Sequence, residues 1–116
     1  MAEAPTVVTL RERKARKTAR NIAAAAAVKE ALRDFVRKSG NAGRFIVFGS
    51  AATGTMRYDS DFDVIVDFPV EREADAWNAV EDACERWDIK ADVFSTATTS
   101  DEFLAQIMQR AVEIVE

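Results

Sequence analysis

The chain contains 116 residues, one cysteine and no histidine, and its 16 Lys and Arg against 20 Asp and Glu give a formal net charge of −4. This length suits a single domain with its own core, and the lone Cys84 excludes an internal disulfide and fits a reducing compartment. The absence of histidine excludes His-based catalytic triads and zincin-type metal sites, which leaves carboxylates as the obvious catalytic groups.

A long amphipathic helix is predicted near the amino terminus, over residues 10–39, after a flexible tail over residues 1–9. The segment is rich in Ala, Arg, Lys and Glu, which favour helices, and Gly40 supplies a stop signal. The buried face of this helix is predicted from residues that recur at three- and four-residue steps: Ile22, Ala25, Lys29, Leu32 and Val36.

The remaining chain, residues 44–116, is predicted to be the core of one α/β domain. Short β-prone runs predict strands at 44–48, 61–68 and 89–94. An acidic helix is predicted over about 70–87, with its apolar face formed by Trp77, Val80, Cys84 and Trp87. Thr99 and Glu102 are spaced as a capping box for a last helix. Its predicted buried stripe consists of Phe103, Leu104, Ile107, Met108, Ala111 and Val115.

Charge is divided unevenly along the chain. Residues 1–58 hold 12 Lys and Arg against 4 Asp and Glu, whereas residues 59–116 hold 4 against 16. Six of the basic residues fall between Arg11 and Arg20. This basic segment is interpreted either as the solvated end of a packed helix or as a contact surface for an acidic partner or RNA, and the acidic surplus elsewhere disfavours RNA.

The sequence predicts no membrane segment. The longest apolar run, Ile22 to Val28, is mostly alanine and too short to cross a bilayer, and the amino terminus does not read as a signal peptide. We therefore expect a cytoplasmic protein without membrane partners.

Three aspartates are the candidate catalytic residues. Asp61 and Asp63 stand two apart in a predicted strand, so that both carboxylates point to the same face. If Asp92 lies in register on a neighbouring strand, the three carboxylates converge and could hold two magnesium ions. Asp92 is then the candidate to orient or deprotonate the attacking hydroxyl. Taken alone, Asp-x-Asp also fits a solvated strand edge.

Gly49 and Ser50 are the candidate phosphate-binding residues. Glycine at a strand end lets the backbone approach a phosphate closely, and the following amides and the Ser50 hydroxyl can donate hydrogen bonds. Ala51 and Ala52 can begin a short helix whose positive end faces the same anion. By itself, Gly-Ser after a strand is also ordinary turn chemistry.

The combination of Gly49-Ser50, a ten-residue spacing, Asp61-x-Asp63 and a later strand aspartate resembles the nucleotidyltransferase superfamily of DNA polymerase beta type. The small size is most similar to its minimal, MNT-type members. The resemblance covers roughly residue 44 to the end and implies a small mixed β-sheet flanked by helices. The long helix before the first strand is an addition to the smallest members.

The resemblance also implies an activity. It implies transfer of a nucleoside monophosphate, with ATP as donor, through two magnesium ions held by Asp61, Asp63 and Asp92. Many minimal members are antitoxins that modify a HEPN-type ribonuclease toxin, which makes such a toxin the expected partner. Two alternatives stay open: an inactive antitoxin that acts by binding alone, and an enzyme that modifies tRNA or a small hydroxylated molecule.

The phosphate-binding part departs from the family pattern at two positions. Members commonly carry Arg or Lys near the positions of Ala51 and Thr53, where this chain has small uncharged residues. Arg57 or Arg44 is the candidate to compensate, and Arg57 is assigned to nucleotide binding with Gly49 and Ser50. A weak or altered nucleotide preference is a consequence to expect.

Overall fold

A computed structural model describes residues 9–116, so that all but the last residue of the predicted tail lies outside the described part of the chain. Within these residues the chain forms four helices and four strands. In chain order they are α1 (Leu10–Lys38), β1 (Arg44–Phe48), α2 (Ser50–Thr53), β2 (Phe62–Asp67), α3 (Val70–Arg86), β3 (Ala91–Ser95), α4 (Asp101–Met108) and β4 (Glu113–Val115). The predicted mixed α/β fold is confirmed.

The four strands form one mixed sheet in the order β3-β2-β1-β4. β1 is antiparallel to both β2 and β4, whereas β2 and β3 are parallel and are connected through α3. A parallel pair needs such a crossover because the chain must return to the same end of the sheet. This topology places the start of β2 beside the start of β3.

The main core lies between the sheet and the two longest helices. Val28, Leu32 and Val36 of α1 are fully buried against apolar residues of the sheet, among them Phe45 and Val64. α1 is therefore an integral layer of the domain and not an appended helix. The opposite face of the sheet carries a smaller apolar cluster that is covered by α4.

Four residues of the predicted apolar helix faces are exposed: Ile22, Trp87, Met108, which is 44% exposed, and Ala111, which lies beyond α4. Ile22 is 51% exposed, and the buried face of α1 begins instead at Asn21, which is one position earlier and about 100° away around the helix. Trp87 is 48% exposed at the carboxyl end of α3. The prediction for Cys84 holds, because this side chain is buried and burial raises the pKa of its thiol to about 12.

The predicted carboxyl-terminal helix is wrong in its extent. α4 ends at Met108, and Val115 is buried in β4, which pairs with the edge of β1. The side chain that caps α4 belongs to Ser100 and not to Thr99, since the Ser100 hydroxyl accepts a hydrogen bond from the Phe103 amide. The four-residue spacing of the apolar residues fitted a helix, but the β-branched end of the chain favours a strand and meets an unpaired strand edge.

Among the residues that the structure describes, no helix combines the length and the apolar character needed to cross a membrane.

Candidate active site

Asp63 and Asp92 lie side by side on one face of the sheet. They are register partners in the parallel β2–β3 pair, which confirms that Asp92 is in register. Phe62 and Val64 are buried in the main core under α1 and α3, and side chains alternate along a strand, so that Asp63 faces the other side together with Ile65. The sheet thus carries two neighbouring carboxylates on the face that only the short α4 covers.

Asp61 lies immediately before β2 and not inside the strand. The backbone amide of Phe62 donates to the Lys90 carbonyl at 2.7 Å, which joins the start of β2 to the segment that enters β3. Asp61 is close enough to raise the pKa of Asp63, although less than burial and Asp92 do. The three predicted carboxylates therefore share one electrostatic environment.

Asp63 is the most perturbed of these carboxylates. Its pKa rises from the ordinary value of 3.8 to about 6, first because burial removes water from the carboxylate and then because Asp92 and Asp61 repel its negative charge. A nearby cation would relieve this repulsion. The site thus favours a positively charged ligand.

The donor set fits a magnesium ion in its chemistry, because carboxylate oxygens are the ligands that this hard cation prefers. Within residues 9–116, however, no three Asp, Glu, Cys or His side chains already surround a common point as metal ligands. Asp61, Asp63 and Asp92 therefore form an open group of donors, and their assignment as metal ligands stays a prediction.

Gly49 brings the turn after β1 directly against Asp63. A Cβ atom at this position would lie 2.5 Å from Oδ2 of Asp63, which is closer than real Cβ atoms come to any neighbour. The backbone of Gly49 also has φ of 66° and ψ of −150°, a region that is essentially restricted to glycine. Glycine is thus favoured here for two independent reasons: the backbone conformation, and the space that a Cβ would take from the Asp63 carboxylate.

The Ser50 hydroxyl begins α2 and donates a hydrogen bond to the Met56 sulfur at 3.2 Å. A thioether is a weak acceptor, so the Ser50 hydroxyl can exchange it for a stronger acceptor at small cost. The predicted short helix after Gly49 is confirmed as α2, but it has only four residues. Whether Gly49 and Ser50 bind phosphate is not decided by this arrangement, and their role stays a prediction.

The two arginines that were candidates to compensate for Ala51 and Thr53 have different positions. Arg44 lies at the far end of β1 from Gly49 and forms a salt bridge with Asp67 at 2.8 Å, so it cannot serve the site. Arg57 lies in the loop that leads to Asp61, and its side chain is exposed. Of the two, only Arg57 remains available to a nucleotide.

An aromatic cluster beside the carboxylates was not predicted. The rings of Phe48, Phe94 and Phe103 lie with centroids 5.3 to 6.4 Å apart, and Phe48 is the register partner of Asp63. The cluster adds apolar surface to the burial that raises the pKa of Asp63. Asp92 and Phe94 are two residues apart in β3 and therefore share a face, so the sequence could have predicted an aromatic ring beside this carboxylate.

The sequence matches the model of the family described as "Nucleotidyltransferase domain" over residues 28–114. The chain belongs to this family. The match covers β1 to α4 and includes all three aspartates, and it leaves out residues 10–27 of α1, which are more than the first half of that helix. This nucleotidyltransferase domain thus combines a family core with a longer amino-terminal helix. A search of curated proteins finds no match.

We expect Gly49→Ala to destabilise the nucleotidyltransferase domain more than Gly54→Ala does. Both glycines have positive φ, but a Cβ at Gly54 meets nothing within 4 Å. Gly54→Ala therefore carries only the cost of an αL backbone, on the order of 1–2 kcal/mol, whereas Gly49→Ala adds a more restricted backbone conformation and the displacement of the Asp63 carboxylate. Urea denaturation measures both free energies of unfolding, and equal losses would contradict the close approach of Gly49 to Asp63.

The stability of the metal-free protein should depend on the ionisation of Asp63. Its pKa is raised in the folded state, so the folded state binds this proton more tightly than the unfolded state does. The resulting stabilisation is fully present below pH 3.8 and is lost as the pH rises through about 6. In EDTA, Asp63→Asn should thus be more stable than wild type at neutral and higher pH, and this advantage should shrink as the pH falls through about 6.

The control for this experiment is Asp67→Asn, the same substitution on the same face of β2. Asp67 is paired with Arg44, so its replacement should lower stability instead of raising it. An advantage of Asp63→Asn that did not vary with pH would contradict the electrostatic account.

Proposed function

We propose that this chain transfers AMP from ATP to a hydroxyl group of a partner protein, with magnesium, and that it is the antitoxin of a HEPN-type ribonuclease toxin. One observation carries the catalytic part: the register pairing of Asp63 with Asp92, with Asp61 in electrostatic reach and Gly49 in contact. Nucleotidyltransferase domains ordinarily use a nucleoside triphosphate and magnesium. The family match supports the reaction class, and the donor and the acceptor are our proposal.

The proposed reaction breaks a phosphoanhydride bond of ATP and forms a phosphoester bond to the acceptor. The acceptor oxygen attacks the α-phosphorus of ATP and forms a new P–O bond, while the bond to pyrophosphate breaks and pyrophosphate leaves. Magnesium, when bound, neutralises phosphate charge. Asp61, Asp63 and Asp92 would hold it, and Asp92, the exposed member, would also orient the acceptor hydroxyl and accept its proton.

The basic end of α1 is the surface that we assign to the partner. Arg13, Arg16, Lys17 and Arg20 recur at helical spacing and line one open groove, and we call these four residues the basic stripe. Within residues 9–116, none of the four forms a salt bridge. Cations that are not engaged in ion pairs suit an acidic protein surface, since charge complementarity speeds encounter and selects partners.

The same stripe supports a second candidate, transfer to tRNA, because clustered cations also bind phosphate backbones. We favour the protein partner because the second half of the chain holds 16 acidic residues against 4 basic ones and would repel an extended nucleic acid.

Replacing a carboxylate of the site should abolish transfer without unfolding the chain. With labelled ATP, magnesium and the product of the neighbouring gene, Asp63→Asn and Asp92→Asn should each lower labelling of that protein by at least about 100-fold. Replacing a residue that only hydrogen-bonds to a metal ligand already costs about 10–100-fold, so replacing a ligand itself should cost no less. Asp67→Asn is the control, since Asp67 lies on the same face of β2 but is paired with Arg44 at the far end of the strand.

Three results would contradict the proposal. Undiminished labelling by both variants would remove the catalytic role of the carboxylates. Full neutralisation of the toxin by both variants would favour the antitoxin that acts by binding alone. Label on added tRNA with none on protein would favour the tRNA enzyme.

Reversing charge in the basic stripe should weaken partner binding. We expect Arg13→Glu combined with Arg16→Glu to raise the Kd for the partner at least about tenfold at low salt, and less at high salt because ions screen exposed charges. Isothermal titration calorimetry at two salt concentrations measures this change. The control, Arg86→Glu with Arg110→Glu, alters the net charge equally at exposed positions outside the stripe. Equal effects of the two pairs would contradict a specific docking surface.

A further inference from the structure

The three candidate carboxylates are not held in the same way. Asp63 and Asp92 lie within strands, where ladder hydrogen bonds fix the backbone on which they stand. Asp61 comes before β2, at the end of the loop over residues 54–61. The Phe62 amide, bonded to the Lys90 carbonyl, holds the chain on one side of Asp61, so the position of Asp61 also depends on how the loop on its other side is fixed.

A tight turn over residues 57–60 precedes Asp61, and the hydrogen bonds that close it join residues of the turn to each other. The Ser60 amide donates to the Arg57 carbonyl at 3.3 Å, and the Arg57 amide donates to the Ser60 hydroxyl oxygen at 2.8 Å. These two hydrogen bonds define the shape of the turn. They do not fix its place relative to the sheet, so a further contact is needed.

Asn21 of α1 provides that contact. Its side-chain amide donates to the Arg57 carbonyl at 2.9 Å and to the Tyr58 carbonyl at 3.2 Å, across more than thirty residues of sequence. Asn21 is 4% exposed and belongs to a helix whose next turns are buried in the main core. The turn before Asp61 is thus attached to a helix that is anchored in the main core.

Two further contacts strengthen this connection between α1 and the site. The Lys14 ammonium lies 4.8 Å from the centroid of the Tyr58 ring, which adds a cation–π contact to the same loop. Lys29 donates to the Ala51 carbonyl of α2 at 2.7 Å and forms a salt bridge with Glu113 at 2.6 Å. α1 therefore contacts both the loop of Asp61 and the helix that follows Gly49.

We propose that Asn21 is a positioning residue, which places Asp61 for cation binding by attaching the turn over residues 57–60 to α1. This inference rests on the proposed metal-dependent function. Asn21 also lies outside the residues matched by the family model, which begin at Val28. The contact between Asn21 and the turn is therefore made by the part of α1 that precedes the match.

A purely structural role is the competing account. Asn21 and Ser95 are the two polar residues that are buried among those the structure describes. A buried amide loses its hydrogen bonds to water, and an apolar residue of similar size would pack on this face of α1 without that loss. Leucine in its place would, however, leave the Arg57 and Tyr58 carbonyls without the Asn21 amide, so the two hydrogen bonds also stabilise the fold, and a direct measurement of cation binding is needed to separate the two accounts.

Direct binding of Mn²⁺ separates the two accounts, with electron paramagnetic resonance of free Mn²⁺ as the readout. We expect Asn21→Leu to raise the Kd for Mn²⁺ by about 10–100-fold, the range for residues that orient metal ligands. Asn78→Leu is the matched control, because it makes the same change at an exposed position of α3. Thermal unfolding in EDTA checks that each variant is folded. Asn21→Ser is the second variant, since its shorter side chain leaves room for water at the two carbonyls.

A double-mutant cycle tests whether Asn21 acts through Asp61. Asn21→Leu should weaken Mn²⁺ binding much less in an Asp61→Asn background than in wild type, because the ligand that it positions is already lost. Equal effects in both backgrounds would overturn the proposal, as would a wild-type Kd in folded Asn21→Leu or Asn21→Ser. If wild type itself binds no Mn²⁺, the proposed metal function fails first, which is a distinguishable result.

Discussion

The parallel pairing of β2 with β3 forces the carboxylates of Asp63 and Asp92 into adjacent positions, and the site depends on this unfavourable contact. Burial and repulsion together raise the pKa of Asp63 to about 6, yet at neutral pH most of this carboxylate is still ionised. A stability-driven sequence would avoid such a contact, because like charges on neighbouring strands destabilise a sheet. The strands hold the pair together because their apolar faces are buried under α1 and α3. Apolar packing on one face of the sheet thus offsets the repulsion between the carboxylates on the other face.

The role of α1 follows from the same division of labour. Its buried residues form the layer that stabilises the strands. Its polar side chains Asn21 and Lys29 contact the loop before Asp61 and α2, respectively. Strand residues receive their positions from the ladder, but a residue just outside a strand does not. Asp61 is such a residue, and Gly49, which lies between β1 and α2, is another. α1 contacts both the loop before Asp61 and α2, so it can fix backbone segments that the hydrogen bonds of the sheet do not fix.

The sequence predicted those features that depend on local pattern. The bounds of α1 and β1 and the burial of Cys84 followed from periodicity and stop signals. The features that it missed depend on partners far apart in the chain. β4 forms because β1 has a free edge, and Asn21 replaces Ile22 on the buried face because the loop over residues 57–60 offers carbonyls there. Likewise, the register of Asp92 with Asp63 was a condition that a slip of one residue would have removed.

The charges around the site bear on the order in which ligands would bind. Ala51 and Thr53 bring no positive charge to the segment after Gly49, and Arg44 is engaged with Asp67 at the other end of β1. A triphosphate that approached without a cation would therefore meet the same carboxylates that already repel one another. Neutralisation by a divalent ion would turn this repulsion into attraction, since the ion binds both carboxylates and phosphates. In the proposed function, nucleotide affinity thus depends on the cation more strongly here than in members with basic residues at these two positions.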